Sequence, residues 1–408
     1  MKYQLRCLDC GATYPPHQYI CRCKNGCTSL LRTDYSTKKL TVAKNLPTPW
    51  RYHHWLPITT IDPRLLKHTS TPRVYRSTKI AKALHLNNLI LCLNTYPDTQ
   101  TGSFKDLEAE VTFQRLLDST SRGKPLVFAS DGNNAISFTH YAHLLHYPII
   151  LFATEDARQH RIWSYHKDNP TCHLYPVNGD YSDAIALAAK FSTVQGTQNE
   201  GGAYNVGRRD AVATIYLDAV RLLGKQPDHY FQALGSGPGA IAVYETHLRL
   251  QQDGHYGKKP PKLHGSQNTP FTPMADAWIN NSDTIDPTYQ GEAAQKLMHK
   301  TYAHVLTNRF PVYSQTGGVH DVFTQTHGEF YRITKTQAIH AQTLFKKHEN
   351  ISIVPEAGVT IASLQQAITQ ETIHKDDTIV VNITGGGRDE NHKHRYCIPP
   401  AVPRHRSR

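Results

Sequence analysis

A strand, a turn and a helix recur in this order between residues 125 and 191, and this repetition constrains the fold more than any other feature of the chain. Short apolar segments of strand type occur at residues 126–129, 148–153 and 173–177. Each is followed by a segment of helical character, at residues 135–146, 155–165 and 181–191. Strands that alternate with helices form a parallel sheet covered on both faces, with ligands bound beyond the carboxyl ends of the strands. The pattern therefore predicts an α/β fold.

The composition is that of a globular protein with room for more than one domain. The chain has 408 residues, of which 39% are hydrophobic, and this is ample for a full core. The apolar segment at residues 147–153 is too short to span a bilayer and suits a buried strand. The segment from Met1 to Cys10 lacks the apolar core of a secretion signal, so we expect a cytoplasmic protein without membrane contact.

The formal net charge of +12 indicates an affinity for anions. Lys and Arg are scattered along the chain, except that they cluster in the tail at residues 392–395 and 404–408. A basic tail could contact nucleic acid, but a solvated, disordered end is the simpler interpretation, so nucleic-acid binding is not expected. The positive field instead favours the attraction of small anionic substrates.

The cysteines are concentrated at the amino terminus, where five of the eight lie at Cys7, Cys10, Cys21, Cys23 and Cys27. A Cys-x-x-Cys pair and a second cluster a short loop later can complete a tetrahedral zinc shell, and reduced cytoplasmic thiols favour metal over disulfides. The candidate ligands are Cys7, Cys10, Cys27 and either Cys21 or Cys23. A metal-free thiol cluster is the alternative. A closed shell of four thiolates leaves no open position for catalysis, so we interpret residues 1–45 as a stabilising appendage.

A lysine after a glycine turn is the first candidate for chemistry. Thr101-Gly102-Ser103-Phe104 leads into a predicted helix that begins at Lys105. The glycine lets a ligand approach the backbone, and the helix start offers unpaired N–H groups and a positive dipole end. A lysine desolvated there would titrate low enough to form a Schiff base with an aldehyde cofactor. A solvated lysine at an ordinary helix start is the alternative.

A glycine-rich turn at residues 235–239 (Gly-Ser-Gly-Pro-Gly) separates a predicted strand at 230–234 from a predicted helix at 240–250. This arrangement points backbone N–H groups at a phosphate on the helix amino terminus. The turn lacks the Lys-Ser/Thr ending of a nucleoside triphosphate loop, and its third glycine comes too early for a dinucleotide fingerprint. The turn therefore fits a single phosphomonoester.

Two further turns carry neutral side chains suited to a heterocyclic ring. Ser130-Asp131-Gly132-Asn133-Asn134 follows the strand at 126–129, and an Asn there can both donate to and accept from a ring hydroxyl. Thr384 follows a strand at 378–383 and precedes three glycines, so its hydroxyl can bond a ring nitrogen without adding a charge. Taken alone, both are also ordinary turn residues.

Together these turns resemble those of the fold-type II pyridoxal-phosphate enzymes, and within them the branch of threonine synthase and cysteate synthase. The likeness to cysteate synthase is the closer one. It rests on the amino-terminal cysteines and on residues 103–109, 205–210, 227–237 and 263–268. The resemblance covers nearly the whole chain except its carboxyl-terminal tail.

The resemblance implies a two-domain, tryptophan synthase β-like fold of parallel sheets flanked by helices, and a homodimer. Residues 46–110 and 196–390 would form the large cofactor-binding domain, and residues 111–195 the small α/β domain. Residues 1–45 would be a zinc-ribbon-like appendage. Residues 391–408 would be a disordered basic tail.

The resemblance also implies a role for each motif residue. Lys105 would bind pyridoxal 5'-phosphate covalently and then act as the general base at the substrate α carbon. The remaining cofactor-binding residues would be Asn133 at the ring hydroxyl, Thr384 at the ring nitrogen, and Gly235, Ser236, Gly237, Pro238 and Gly239 at the phosphate. The substrate-binding residues would be Thr101, Ser103, Ser130, Gly132 and Asn134.

The implied activity is β-replacement on a phospho-amino acid, in which O-phosphoserine loses phosphate and sulfite adds to form L-cysteate. One alternative is threonine synthase action on O-phosphohomoserine with water as the nucleophile. A second is a related replacement with another nucleophile. A third, of a different class, is a catalytically silent relative that acts as a binding protein.

Two residues depart from the family pattern, Asp131 and Asn134. A carboxylate beside an anion site would repel phosphate or sulfite by about 1 kcal/mol or more in a partly buried pocket, unless it is paired with Arg or turned outward. Arg208, Arg209 and Arg388 are candidates for the compensating charge. Solvated helix and loop arginines are the simpler interpretation of these three residues.

Overall fold

The computed structural model describes residues 1–157 and 169–387, whose regular elements alternate along the chain. The strands are β1 (Tyr3–Cys7), β2 (Thr13–Tyr14), β3 (Leu31–Tyr35), β4 (Arg73–Arg76), β5 (Asn88–Leu93), β6 (Leu126–Ala129), β7 (Ile149–Thr154), β8 (Cys172–Val177), β9 (Gln198–Asn199), β10 (His229–Ala233), β11 (Lys262–Asn268), β12 (Glu329–Ile333) and β13 (Thr378–Ile383).

The α-helices are α1 (Pro63–Lys67), α2 (Lys79–Ala83), α3 (Lys105–Leu117), α4 (Asn133–Leu145), α5 (Glu155–Ala157), α6 (Tyr181–Phe191), α7 (Val206–Leu223), α8 (Pro238–Asp253), α9 (Pro273–Ile279), α10 (Glu292–Lys300), α11 (Val319–Gln325), α12 (Lys335–Glu349) and α13 (Pro355–Thr369). Short 3-10 helices occur at Trp50–Trp55, Gly202–Tyr204, Pro287–Tyr289 and His304–Leu306. Within the described ranges, no helix is both long and apolar enough to cross a membrane.

The larger sheet has six strands in the order β12-β11-β10-β13-β5-β4, all parallel except the edge strand β4. Every residue of β10 and β13 is buried, as expected for parallel strands that helices cover on both faces. Adjacent residues face different cores: Tyr230 and Val380 pack with α7 and α8, whereas Phe231 and Val381 pack with α12 and α13. The core therefore lies in two layers around this sheet.

The smaller sheet is fully parallel, in the order β8-β7-β6-β9. It confirms the strand and helix alternation read from residues 125–191. Its strands lie between residues 126 and 199, so β9 falls beyond the expected domain boundary at residue 195. The domain boundaries themselves stay predictions.

The amino-terminal segment forms a third, antiparallel sheet in the order β2-β1-β3. A buried carboxylate, Asp210 of α7, attaches this sheet to the rest of the protein. It accepts hydrogen bonds from Thr33 Oγ1 at 2.8 Å and from Tyr35 Oη at 2.7 Å, and Arg249 of α8 pairs with its other oxygen. The appendage is therefore fixed to two core helices by a desolvated polar cluster.

Several helices begin earlier than the sequence indicated. Helix α4 begins at Asn133 rather than at residue 135, so Asn133 and Asn134 belong to its first turn. The amphipathic pattern at residues 209–223 predicts a helix that begins at residue 209. Helix α7 instead begins at Val206, because the side chain of Asn205 caps it by accepting from the Gly207 N–H.

Three other expectations are either contradicted by the structure or lie partly or wholly outside the described residues. The proline- and tryptophan-rich segment at residues 46–73 predicts a connector without regular structure. This prediction was wrong, because the segment contains the Trp50–Trp55 turn and α1. The predicted helix at 155–165 is described only up to Ala157, and the predicted disordered tail at 391–408 lies outside the described residues.

We expect Asp210→Ala to lower the free energy of unfolding by about 3–5 kcal/mol, because it leaves the buried Arg249 guanidinium without its carboxylate. The control is Asp34→Ala in the same appendage, which removes the exposed partner of Arg6 and should cost no more than about 1 kcal/mol. Denaturant unfolding of both variants measures the difference. Equal losses would contradict the anchoring role of Asp210.

Candidate active site

A cavity of about 1380 Å³ lies where the carboxyl ends of strands from the two parallel sheets meet. Its wall includes residues from all four turns singled out in the sequence: Lys105, residues 130–134, residues 235–239 and Thr384. Carboxyl ends of parallel strands are where α/β folds bind ligands. The structure therefore brings the predicted turns together, while Thr101 and Ser103 lie buried just behind the cavity wall.

Lys105 begins α3, and its side chain is 18% exposed at the wall of the cavity. Burial lowers its pKa from the ordinary lysine value to about 8, and the nearby Glu108 carboxylate acts in the opposite direction. Nζ of Lys105 donates a hydrogen bond to Glu108 Oε1 at 2.7 Å and lies 4.2 Å from the centre of the Phe104 ring. A substantial fraction of this lysine is therefore a neutral amine at mildly alkaline pH, as a nucleophile requires.

A chain of buried ion pairs continues from Lys105. Arg208 of α7 donates through Nε to Glu108 Oε2, and its NH1 group lies 3.3 Å from Glu200 Oε2. Asn205 Nδ2 donates to Glu200 Oε1 at 3.1 Å. The cations of Lys105 and Arg208 are thus paired with two glutamates: Glu200, which lies in the cavity wall, and Glu108, which is fully buried.

The interpretation of Arg208 and Arg209 as solvated was wrong. Arg208 is 6% exposed and pairs with two glutamates. Arg209 is fully buried and pairs with Glu245 of α8 at 3.1 Å. Both arginines lie in the first turn of α7, which packs against α3 and α8, so neither reaches bulk water. Arg388 lies outside the described residues.

The glycine-rich turn at 235–239 lines the cavity and leads directly into α8. Gly237 has φ = +92° in the left-handed region, and a Cβ there would lie 2.2 Å from Val319 Cγ2, so only glycine fits. Ser236 Oγ accepts from Asn308 Nδ2 at 2.7 Å, which fixes the turn to a neighbouring loop. The start of a 16-residue helix at the cavity wall provides N–H donors and a positive dipole end for a phosphate.

Thr384 and the lysine turn are joined through the backbone. The N–H of Phe104 donates to the Thr384 carbonyl at 3.1 Å, and Ser103 forms a β-bridge with Gly385. In the part of the chain that the structure describes, the hydroxyl oxygens of Ser103 and Thr384 are buried and lack a hydrogen-bond partner. Buried hydroxyls are nearly always satisfied in folded proteins, so these two indicate a bound polar group.

The turn at 130–134 has little freedom. Ser130 Oγ accepts from the N–H groups of Gly132 and Ala135 at 3.3 and 3.0 Å. Asn133 Nδ2 donates to Glu356 Oε1 of α13 at 3.0 Å. Asn134 Oδ1 is buried without a partner among the described residues. These contacts set the start of α4 at the cavity wall.

Asp131 is held by a neighbouring strand. Its carboxylate accepts from the N–H of Thr154 at 2.8 Å and from Thr154 Oγ1 at 3.0 Å, at the end of β7. These two hydrogen bonds attach the Asp131 carboxylate to the end of β7.

Thr101 contributes to the support of the lysine turn. Its hydroxyl donates to the buried carboxylate of Asp106 and lies 2.9 Å from Ser137 Oγ. Asp106 also accepts from the Thr101 N–H at 2.7 Å and from Ser70 Oγ at 3.0 Å. This carboxylate therefore fixes the backbone immediately before Lys105.

The cysteine cluster resolves the choice between Cys21 and Cys23. The thiols of Cys7, Cys10, Cys23 and Cys27 lie within 4.8 Å of one another. Cys21 is directed away from them, with Sγ 3.5 Å from the carbonyl oxygen of Glu200. Four thiols from two chain segments fit a structural zinc site.

The charges of this cluster are consistent with metal binding. The hydrogen bond with Tyr14 lowers the pKa of the Cys23 thiol to about 6. Neighbouring thiols, Cys10 first, raise the pKa of Cys27 to about 12. A cation among the four sulfurs would relieve the repulsion that keeps Cys27 protonated.

The sequence reasoning missed three acids near the lysine: Glu200 and Glu356 in the cavity wall, and the fully buried Glu108 beside Lys105. Only Glu108 had a usable signal, since it follows Lys105 by three residues and such pairs meet on one face of a helix. Glu200 and Glu356 come from distant segments, which only the tertiary fold brings to the cavity.

Comparisons with known proteins agree with this site. A family model described as pyridoxal-phosphate dependent enzyme matches residues 66–385. The cysteate synthase of Methanosarcina barkeri is 40% identical over 392 residues, which cover 94% of this chain and 92% of that protein. The cysteate synthase of Methanoculleus marisnigri is 38% identical over 406 residues, which cover 98% and 92%. The resemblance inferred from the turns is thereby confirmed.

Solved structures share the fold at low sequence identity. A pyridoxal 5'-phosphate-dependent aspartate racemase superposes with a TM-score of 0.63 at 13% identity, covering 82% of this chain and 95% of the other. The processed form of threonine deaminase isoform 2 from Solanum lycopersicum gives a TM-score of 0.57 at 15% identity, with coverages of 81% and 88%. These likenesses confirm the predicted fold class.

The assignment of the cysteine cluster predicts different outcomes for two neighbouring substitutions. We expect Cys23→Ser to lose the zinc of the purified protein, about one ion per chain, and Cys21→Ser to retain it. Inductively coupled plasma mass spectrometry measures the metal, and circular dichroism controls for the fold. Loss of zinc from Cys21→Ser alone would contradict the ligand set.

Proposed function

The chain belongs to the pyridoxal-phosphate-dependent enzyme family, and from this membership we propose that it converts O-phosphoserine and sulfite to L-cysteate and phosphate. In this β-replacement the Cβ–O bond to the phosphate breaks and a Cβ–S bond to sulfite forms. The observation that carries the proposal is the convergence of Lys105, the 235–239 turn and Thr384 on one cavity. The choice of substrate is supported by the two cysteate synthases named above, whose similarity extends over nearly the whole chain.

The residues of the cavity fit the cofactor. Lys105 supplies the amine, and the turn at 235–239 with the start of α8 binds the phosphate. Thr384, whose buried hydroxyl has no partner among the described residues, would bond the ring nitrogen, and Asn133 would contact the ring hydroxyl. When bound, pyridoxal phosphate withdraws electrons from the substrate and makes the proton on its α carbon acidic.

The protein controls the proton and the anionic groups. Nζ of Lys105 accepts the α proton, which its low pKa of about 8 permits. A hydroxyl at the ring nitrogen adds no charge, which favours elimination and replacement. The start of α4, with its cap residue Gly132 and with Asn134, binds the substrate carboxylate together with Ser103.

Two substrate-binding assignments change in detail. We assign Ser130 to the support of this turn, since its hydroxyl already accepts from Gly132 and Ala135. We assign Thr101 likewise to the support of the lysine turn through Asp106. The backbone N–H groups, rather than these two hydroxyls, then contact the substrate.

The assignment of Lys105 predicts that Lys105→Ala abolishes both the visible absorbance of the bound cofactor and the release of phosphate, by about 10³-fold or more. Lys82→Ala, a change of an exposed lysine on α2, is the control and should alter neither. Absorbance spectra and a phosphate assay measure the two properties. Cofactor absorbance that persists in Lys105→Ala would exclude this lysine as the attachment point.

The proposed substrate predicts a preference between two phospho-amino acids. We expect phosphate release from O-phosphoserine to exceed release from O-phosphohomoserine by about 10²-fold or more in kcat/KM, and cysteate to form only when sulfite is present. Mass spectrometry of the products identifies the nucleophile that has added. Preference for O-phosphohomoserine with formation of threonine would replace the proposal with threonine synthase activity.

The homodimer and the cytoplasmic location stay proposals that rest on the family and on the sequence. A small amino-acid substrate agrees with the family. Polar side chains that could bind it line the cavity. Size-exclusion chromatography with light scattering measures the oligomeric state directly.

A further inference from the structure

Glu108 connects the cofactor lysine to the rest of the charged wall. It lies one turn along α3 from Lys105, and its side chain is completely buried. One carboxylate oxygen accepts from Nζ of Lys105 at 2.7 Å, and the other accepts from Nε of Arg208. The carboxylate therefore bridges two cations from two helices.

The groups that face Lys105 come from several elements. Glu108 lies on its own helix, Arg208 on α7, and Glu200 just before the Gly202–Tyr204 turn. Glu200 is itself held, because its Oε2 accepts from the N–H of Gly202 at 2.9 Å. Tyr181 at the start of α6 also faces Arg208. Glu108 is thus held by Lys105 on one oxygen and by Arg208 on the other, and Arg208 is itself held by Glu200.

We propose that Glu108 is a positioning residue for proton transfer: it holds the ammonium form of Lys105 in place, so that the same nitrogen removes and returns the proton of the substrate α carbon. The inference rests on the proposed function. The proton passes from the α carbon to Nζ when phosphate leaves, and from Nζ back to the α carbon when sulfite has added. No proton is gained or lost by the protein over the cycle.

The burial of Lys105 explains why such a residue is needed. A buried ammonium without a counter-ion is costly, and burial alone lowers the pKa of this lysine. A proton taken from the substrate must nevertheless remain on Nζ during the exchange of phosphate for sulfite. The Glu108 carboxylate stabilises that state, while Arg208 offsets its charge toward two anionic reactants.

A structural role for Glu108 is the competing explanation, and the neighbouring pair provides a matched control. Arg209, next to Arg208 on α7, pairs with the buried Glu245 of α8, which does not contact Lys105. Glu108→Gln and Glu245→Gln each remove one buried carboxylate from an arginine of the same helix. Only the first change removes the charge beside Nζ.

The first experiment measures the lysine in full-length protein freed of cofactor. Trace acetylation with acetic anhydride over a pH series, followed by peptide mass spectrometry, gives the titration of Lys105 alone. In Glu108→Gln we expect labelling at neutral pH to rise about tenfold, because loss of the carboxylate favours the neutral amine. Glu245→Gln should leave the profile unchanged. Identical profiles in Glu108→Gln and the unsubstituted protein would overturn the inference.

The second experiment uses the cofactor-loaded enzyme and O-phosphoserine carrying deuterium on the α carbon. We expect Glu108→Gln to lower kcat about 10²-fold, to leave KM within about threefold, and to increase the deuterium isotope effect on kcat. Glu108→Asp keeps the charge and should recover part of kcat. A raised KM with an unchanged isotope effect would assign Glu108 to structure alone and overturn the inference.

The two experiments separate failure of the inference from failure of the proposed function. The labelling experiment needs no substrate, so it tests the coupling of Lys105 and Glu108 even if O-phosphoserine is not turned over. Should Glu108→Gln not fold, Glu108→Asp replaces it: the shorter side chain weakens the contact with Nζ, so labelling should rise by a smaller factor in the same direction. An unchanged profile in a folded Glu108→Asp protein would then count against the inference.

Discussion

The two parallel sheets end at a common cavity, and the placement of every candidate catalytic group depends on this. Strands β6 and β7 of the smaller sheet and β10 and β13 of the larger one end at its wall. Since successive connections leave each sheet at the same edge, turns that are far apart in sequence become neighbours. Lys105 at the start of α3 and the turn before α8 meet in this way. The helix starts at this edge also direct their positive dipole ends toward anionic ligands.

The same geometry creates an electrostatic difficulty, because it buries charges that water would otherwise stabilise. These charges form ion pairs: Lys105 with Glu108, Arg208 with Glu108 and Glu200, and Arg209 with Glu245. The pairs of Arg208 and Arg209 join different helices or loops, so these charges also orient the elements that carry them.

Local patterns in the sequence sufficed for β6, β7, β8, β10 and β13 and for the glycine turns, because apolar runs and glycines act over a few residues. The partners of the turns could not be found in this way. Arg208 resembled a solvated helix residue until the packing of α7 against α3 removed its water. Asn133 was assigned to a turn, whereas α4 already begins there. The choice of Cys23 over Cys21 depended on side-chain direction, which residue spacing alone does not determine.

The position of Cys21 connects the amino-terminal appendage to the cavity. Its thiol packs against the backbone at Gly201, and Arg22 beside it stacks on Tyr204, so both residues form part of the cavity wall. The next residue, Cys23, belongs to the thiol cluster. The appendage thus forms part of the cavity wall, in addition to stabilising the fold. An enzyme trimmed of its first 45 residues would open that side to bulk water and would expose Glu200 to hydration.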